Sequence, residues 1–126
     1  MTALGQVISL HRGQTGQSLN AASSAGAIPT ARGAAFAIPQ RQMRENLQLG
    51  WSYQVTGSPT GVQVDLIGCF SDPTVDANWF SLDSGTNTAG EAGRFVVNKG
   101  VKYVALNLTS LSGGALPTVS GSVFAN

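Results

Sequence analysis

Few groups in this chain of 126 residues could do chemistry. His11 is the only histidine and Cys69 the only cysteine, and they do not fall in a spaced motif, so neither a metal-ligand set nor an intrachain disulfide can be built from them. A Ser/His/Asp nucleophile system would have to use His11, which sits beside Arg12 and Gly13 in a loose N-terminal stretch where a base cannot stay oriented. Asp65, Asp72, Asp76 and Asp83 have the side chains of a glycosidase pair. Asp65, however, falls on the outward phase of a strand, and the other three fall in turns, where Asp bonds to nearby backbone. "DPTVDAN" (72–78) lacks the alternate acidic ligands of a calcium loop. "SGTNTAGEAG" (84–93) has no following lysine and no helix to cradle a phosphate. "NLT" (107–109) matches a glycosylation acceptor but lies within a strand pattern. These residues predict a protein that is not an enzyme and needs no cofactor or metal.

Binding chemistry is better represented. Arg12, Arg32, Arg41 and Arg44 give residues 1–44 a charge of +4 with no acid among them, whereas residues 45–126 carry three basic and six acidic side chains, a charge of −3. Arginines so spread out do not make a nucleic-acid groove, which needs clustered cations and stacking aromatics. They suit contacts with an acidic protein surface, because a guanidinium pairs with carboxylates through two parallel hydrogen bonds. Charged residues amount to only 10% of the chain, so Ser, Thr, Asn, Gln and Gly must build most of the surface. A surface of that kind repels neighbours weakly and favours packing against partners or further copies. Trp79, in "ANWFSL", falls on the face opposite Phe80 and Leu82. Two roles are open to it: stacking on a sugar or partner, or covering the domain's edge with its indole N–H bonded locally.

The elements that would position these groups are strands. "LQLGWSYQV" (47–55) alternates, turning Leu47, Leu49, Trp51, Tyr53 and Val55 inward, and "VQVDLIGCF" (62–70) turns Val62, Val64, Leu66 and Phe70 inward. The turn "TGSPTG" between them predicts a hairpin. Shorter strands are predicted at 5–10, 34–39, 79–82, 94–97, 101–108 and 118–125, with loops at 71–78, 83–93 and 109–117. About eight short antiparallel strands and no convincing helix predict an all-β, jelly-roll-like two-sheet sandwich over residues 34–126. Residues 1–33, rich in small and polar side chains, read as an extended N-terminal arm. No stretch has the apolar length of a membrane span, and no signal peptide is evident, so synthesis in a cytoplasm is expected.

Residues 62–125 carry a further signal. The hairpin pattern "SDPTVDANWFSL", the following "AGEAG" loop and the ending "VKYVALNLTSLSGGALPTVSGSVFA" resemble small virion structural proteins of tailed bacteriophages and prophages. The resemblance implies a β-sandwich cement or decoration protein on the capsid surface of the virion. Such a protein bridges subunits of the major capsid protein and associates with its own copies. It further implies partner contacts, with Arg12, Arg32, Ile8, Leu10 and Ile28 of the arm and Arg41, Arg44 and Trp79 beyond it as the candidate residues, and no role for nucleic acid or membrane. A looser similarity, through "SxD…NW" and the "KYVALNL" strand, links the chain to discoidin-like carbohydrate-binding sandwiches. It implies as the alternative a tail-associated or cell-surface glycan-binding module, with Trp79 and the loops 71–78, 83–93 and 109–116 as its mouth.

Overall fold

In the computed structural model, residues 8–9, 17–20, 25–33, 35–38, 48–97 and 100–125 are described. Strands β1 (Ile8–Ser9), β2 (Gln17–Asn20), β4 (Gln48–Thr56), β7 (Gly90–Val97) and β9 (Thr118–Ala125) form one antiparallel sheet in the order β1-β9-β4-β7. β2 pairs with β9 as well, on the stretch next to that held by β1. Strands β3 (Phe36–Ala37), β5 (Gly61–Cys69), β6 (Phe80–Gly85) and β8 (Tyr103–Ser112) form the second sheet, in the order β3-β8-β5-β6. With β1 and β2 counted as one interrupted strand, the sheets run first-eighth-third-sixth and second-seventh-fourth-fifth. This is the strand order of a jelly roll. Where it is described, the N-terminal third lies on the sandwich as edge strands rather than apart from it.

The core forms where the inward phases of the two sheets meet. Leu49, Trp51, Tyr53, Val119 and Val123 face Val62, Val64, Leu66, Val104, Leu106 and Leu108, all buried. The hairpin expected from residues 47–70 does not form, because β4 pairs with β7 and β9 while β5 pairs with β6 and β8. The alternation correctly marks which side of each strand is inward. Two strands with inward apolar faces can, however, meet across a core as readily as they can pair side by side. The connection crosses between sheets through left-handed backbone at Gly57 and Ser58, φ 84° and 51°. Phe70, expected inward, lies past the end of the core and is exposed.

Residues 83–93 were expected to be a loop, yet β6 runs on to Gly85 and β7 begins at Gly90. Small and charged residues occupy these two edge strands because a charged clasp closes that side of the sandwich. Arg94 on β7 forks onto Asp83 of the opposite sheet, with Nε to Oδ2 and Nη2 to Oδ1 both 3.0 Å, while its Nη1 donates to Glu91 at 2.9 and 3.1 Å. Trp51 donates its indole N–H to Asp83 at 2.9 Å, and the Arg94 guanidinium lies 5.8 Å from that ring's centroid. Tyr53 reaches across to the Asn87 carbonyl at 3.0 Å, passing Gly85, where a Cβ would stand 2.6 Å from the phenol ring. Inward-pointing charge on an edge strand also discourages pairing with other chains.

Burial pushes the Asp83 carboxyl up, but hydrogen bonds from Arg94, Trp51 and the Ser84 amide outweigh it and hold its pKa below the ordinary 3.8. The hydrogen bonds of Arg94, to Asp83 first and to Glu91 second, raise its pKa further. A carboxylate with a depressed folded-state pKa adds stability above its unfolded value and loses it as pH falls through the folded value. Acid below about pH 4 is therefore expected to open the clasp. Asp83→Asn should cost about 1–2 kcal/mol at neutral pH, given the partial exposure of the pair, and should flatten the acid limb of the stability curve. Denaturant titrations across pH check both; an unchanged acid limb in the variant would assign the acid sensitivity elsewhere.

Candidate functional site

β8 is buried on both faces over residues 104–108. Val104, Leu106 and Leu108 enter the main core, while Ala105 and Asn107 point to the outer side and are equally inaccessible. On β5, Asp65, Ile67 and Cys69 share that outer side and are buried too. The cover is a strap formed by residues 25–33 together with Ala35. Gly26 donates its amide to the Leu108 carbonyl at 3.1 Å, Leu108 to Ala31 at 3.2 Å, and Gly33 to Leu106 at 2.9 Å. The strap turns back on itself through Thr30, whose amide and hydroxyl both bond the Ala27 carbonyl at 2.6 Å.

Asn107 stitches this turn from below. Its Oδ1 accepts from the Ala31 amide at 3.1 Å, and its Nδ2 donates to the Gly26 carbonyl at 3.1 Å and to Thr109 Oγ1 at 3.0 Å. Thr109 in turn donates its hydroxyl hydrogen bond to Asp65, which also accepts from Gln63, Ser81 and Ser84. Asp65 has the outward phase expected of it, but it is only 1% exposed, because Gln63, Ser81, Ser84 and Thr109 enclose it. Four neutral donors replace its water, as a buried carboxylate without a cation requires. That use of Asn107 and Asp65 is structural, and no sequence signal distinguishes it from a solvated strand face.

The strap also settles Trp79. The indole is 6% exposed, packed with Ile67, Cys69 and Ala105, with Ile28, Ala35 and Tyr103 against the same cluster. Its N–H donates to the Pro73 carbonyl at 3.0 Å. The exposed stacking platform is absent, because the ring is needed to fill the space between strap and sheet. Arg32 lies over this ring, its Cζ 5.1 Å from the centroid, and donates Nη1 to the Gly33 carbonyl at 3.2 Å. Among the described residues Arg32 has no carboxylate partner, while Arg94 takes both ion pairs.

The other candidates separate. Ile28 is half-buried against Trp79, and Ile8 is placed in β1 opposite Ala125. Leu10, Arg12, Arg41, Arg44 and His11 lie outside the described residues. Burial pushes the Cys69 thiol up, away from a nucleophilic thiolate. Asp72 caps its own turn, accepting the Thr74 hydroxyl at 2.6 Å and amide at 2.9 Å, which lower its pKa. Among the described residues no three His, Cys, Asp or Glu gather to hold a metal, and no helix is long and apolar enough to cross a membrane. The loops proposed as one glycan mouth lie apart. Residues 71–78 join β5 to β6 at one end of the sandwich, whereas 86–89 and 113–117 stand at the other.

No known protein family matches the sequence, and no curated protein matches it. Among solved structures, the chain is similar to the crystal structure of the SPBc2 prophage-derived protein YomS. The identity is 14% and the TM-score 0.45, over 96% of this chain and 92% of that one.

Asn107→Ala removes the strap's side-chain stitching while leaving the inward face of β8 intact. It is expected to cost about 1–3 kcal/mol, since the Ala31 amide and Gly26 carbonyl lose buried partners. Hydrogen exchange at Ala31 and Gly33 should accelerate more than at Leu66 in the core. Equal acceleration at all three sites would show that Asn107 supports the whole sandwich and not the strap in particular.

Proposed function

We propose that this chain is a non-enzymatic virion structural protein of a tailed phage. Its role is that of a capsid cement or decoration protein, binding across neighbouring subunits of the major capsid protein and stabilising the head. The observation that carries the reading is the state of Arg32. This cation belongs to the acid-free third of the sequence. It is fixed on a buried tryptophan by a strap with three backbone bonds to β8, and it lacks a carboxylate partner among the described residues. Holding a guanidinium this way reduces the entropy lost when a partner's carboxylate binds it.

The rest of the molecule is consistent with binding without turnover. Arg94 is held by both Asp83 and Glu91 in the clasp, and Asp65 is enclosed. A rigid jelly roll supplies the shape, and the resemblance of residues 62–125 to phage virion proteins supplies the setting. In the proposal, Arg12, Arg41 and Arg44 extend the contact that Arg32 begins, with Ile8 and Leu10 adding apolar area. Many modest contacts of this sort add up when copies are held side by side on a shell.

Particles lacking the protein, incubated with the purified chain and sedimented, provide the test. Arg32→Glu is expected to weaken binding by about tenfold or more, and added salt should weaken the parent's binding. Reversal of Lys102, an exposed cation, to Glu serves as the control and should leave binding unchanged. Occupancy by the Arg32 variant equal to the parent's would remove the basis of the reading.

A further inference from the structure

The buried apolar side chains of the sandwich fall into two separate groups. The main core lies between the sheets, whereas Ile67, Cys69, Trp79 and Ala105 form a smaller cluster on the outer side of the second sheet. Ile28 and Ala35 of the strap pack against this smaller cluster, and the Arg32 guanidinium lies over its tryptophan. To the main core, residues 25–33 add only Ala31 and the partly buried Ala25, two methyl groups. Lifting the strap would therefore leave the layer between the sheets almost unchanged.

The strap is tethered at both ends and braced within itself. Ahead of it β2 pairs with β9, and behind it Phe36 and Ala37 pair with Val104 and Tyr103 of β8. Ile38 adds an amide bond to the Lys102 carbonyl at 2.8 Å and is buried in the main core. Inside the strap, Thr30 bonds back to Ala27 and the Arg32 amide donates to the Pro29 carbonyl at 3.2 Å, so the turn keeps its shape through its own bonds. Its grip on the sheet is mostly polar: three backbone bonds to β8 and two from the Asn107 side chain. These groups lie at the outer side of the sheet, where each can exchange its partner for water once the strap lifts. β8 meanwhile keeps its ladder with β5, from Tyr103 to Ser112. Trp79 keeps its own anchor as well, the Pro73 carbonyl in a loop closed by Asp72, Thr74 and Asn78. Few apolar contacts and many exchangeable bonds are the marks of a segment that opens before the rest of a fold.

We infer that the strap is a hinged cover, which swings off β8 as one piece while both sheets stay folded, taking Arg32 off its ring and laying Cys69 open to solvent. The consequence for partner binding rests on the reading of Arg32 given above: only the closed strap fixes the guanidinium, so a bound carboxylate would favour closing. The opening itself belongs to the isolated chain and is tested there, so it stands or falls separately from the virion proposal.

Cys69 is the reporter. It is the only thiol of the chain, it is fully buried, and Arg32 is near enough for its charge to act on it. Dithiodipyridine labels it once it is uncovered, the thiolate attacking the reagent's disulfide and releasing a coloured thiopyridone. In water, labelling should run much faster than unfolding of the sandwich followed by circular dichroism. Low urea should hardly change its rate, because lifting the strap exposes little surface. Asn107→Ala and Ile28→Ala should each speed labelling roughly tenfold. Ile28 is only half-buried and lies outside the main core, so its truncation keeps the test intact should Asn107→Ala fail to fold. Asp83→Asn, which weakens the sandwich at the clasp, should leave labelling unchanged. Labelling that climbs with urea as steeply as global unfolding does, and responds to Asp83→Asn as much as to Ile28→Ala, would overturn the inference. Fast labelling that neither strap variant alters would overturn it too, and would assign the opening to the 71–78 loop.

Discussion

The side-chain amide of Asn107 is the contact on which the functional reading depends. It is fully buried on the outer side of β8, where a two-layered sandwich would ordinarily meet water. An amide can be placed there only if its donors and acceptor are all satisfied. The Ala31 amide, the Gly26 carbonyl and the Thr109 hydroxyl satisfy them. Two of those three partners belong to the strap, so the polar group that needs cover also specifies what covers it. Once the strap is in place, Ile28 and Ala35 close over Trp79, and Arg32 is left on the ring. A local hydrogen-bonding requirement thus becomes the placement of a single cation.

Much of the fold is legible in the sequence because alternation reports which side of a strand is inward. Leu49, Trp51 and Tyr53 occupy the core as their spacing says, and so do Val104, Leu106 and Leu108. Alternation is silent about neighbours, so the two longest predicted strands face each other across the core and do not pair. It is silent, too, where polar residues point inward. Asp83 and Glu91 read as loop chemistry and Arg94 as the start of a strand, yet together they replace apolar side chains on two edge strands that a charged clasp holds together. For Asp65 the phase was right and the exposure wrong, since burial there comes from residues far away in sequence.

The candidate site was legible only at the level of composition. Spread-out arginines without acids make the N-terminal third the expected contact region, and nothing in "GAIPTARG" singles out Arg32 from the others. What distinguishes Arg32 is the aromatic ring beneath it, supplied by a residue 47 positions further along the chain (79 − 32). The two roles open to Trp79 are resolved by the same contact. The ring fills the space under the strap, with the Arg32 guanidinium above it.

The distribution of charge ties the site to the rest of the surface. Asp83, Glu91 and Arg94 are spent on one another, and Asp65 on hydroxyls, so a chain already poor in charge shows even less of it. The outer face of the sheet containing β4 and β9 carries Gly50, Ser52, Gln54, Ser120 and Ser122, with Phe95 lying across Gly50 and 72% exposed. Such a surface has little long-range repulsion to keep copies apart, and hydroxyls and amides can exchange water for a neighbour's polar groups at small cost. Net repulsion that weak would be a hazard for a protein working alone at high concentration. For one whose ordinary condition is to lie against other subunits it removes a barrier to close approach, leaving a few fixed contacts to decide the geometry.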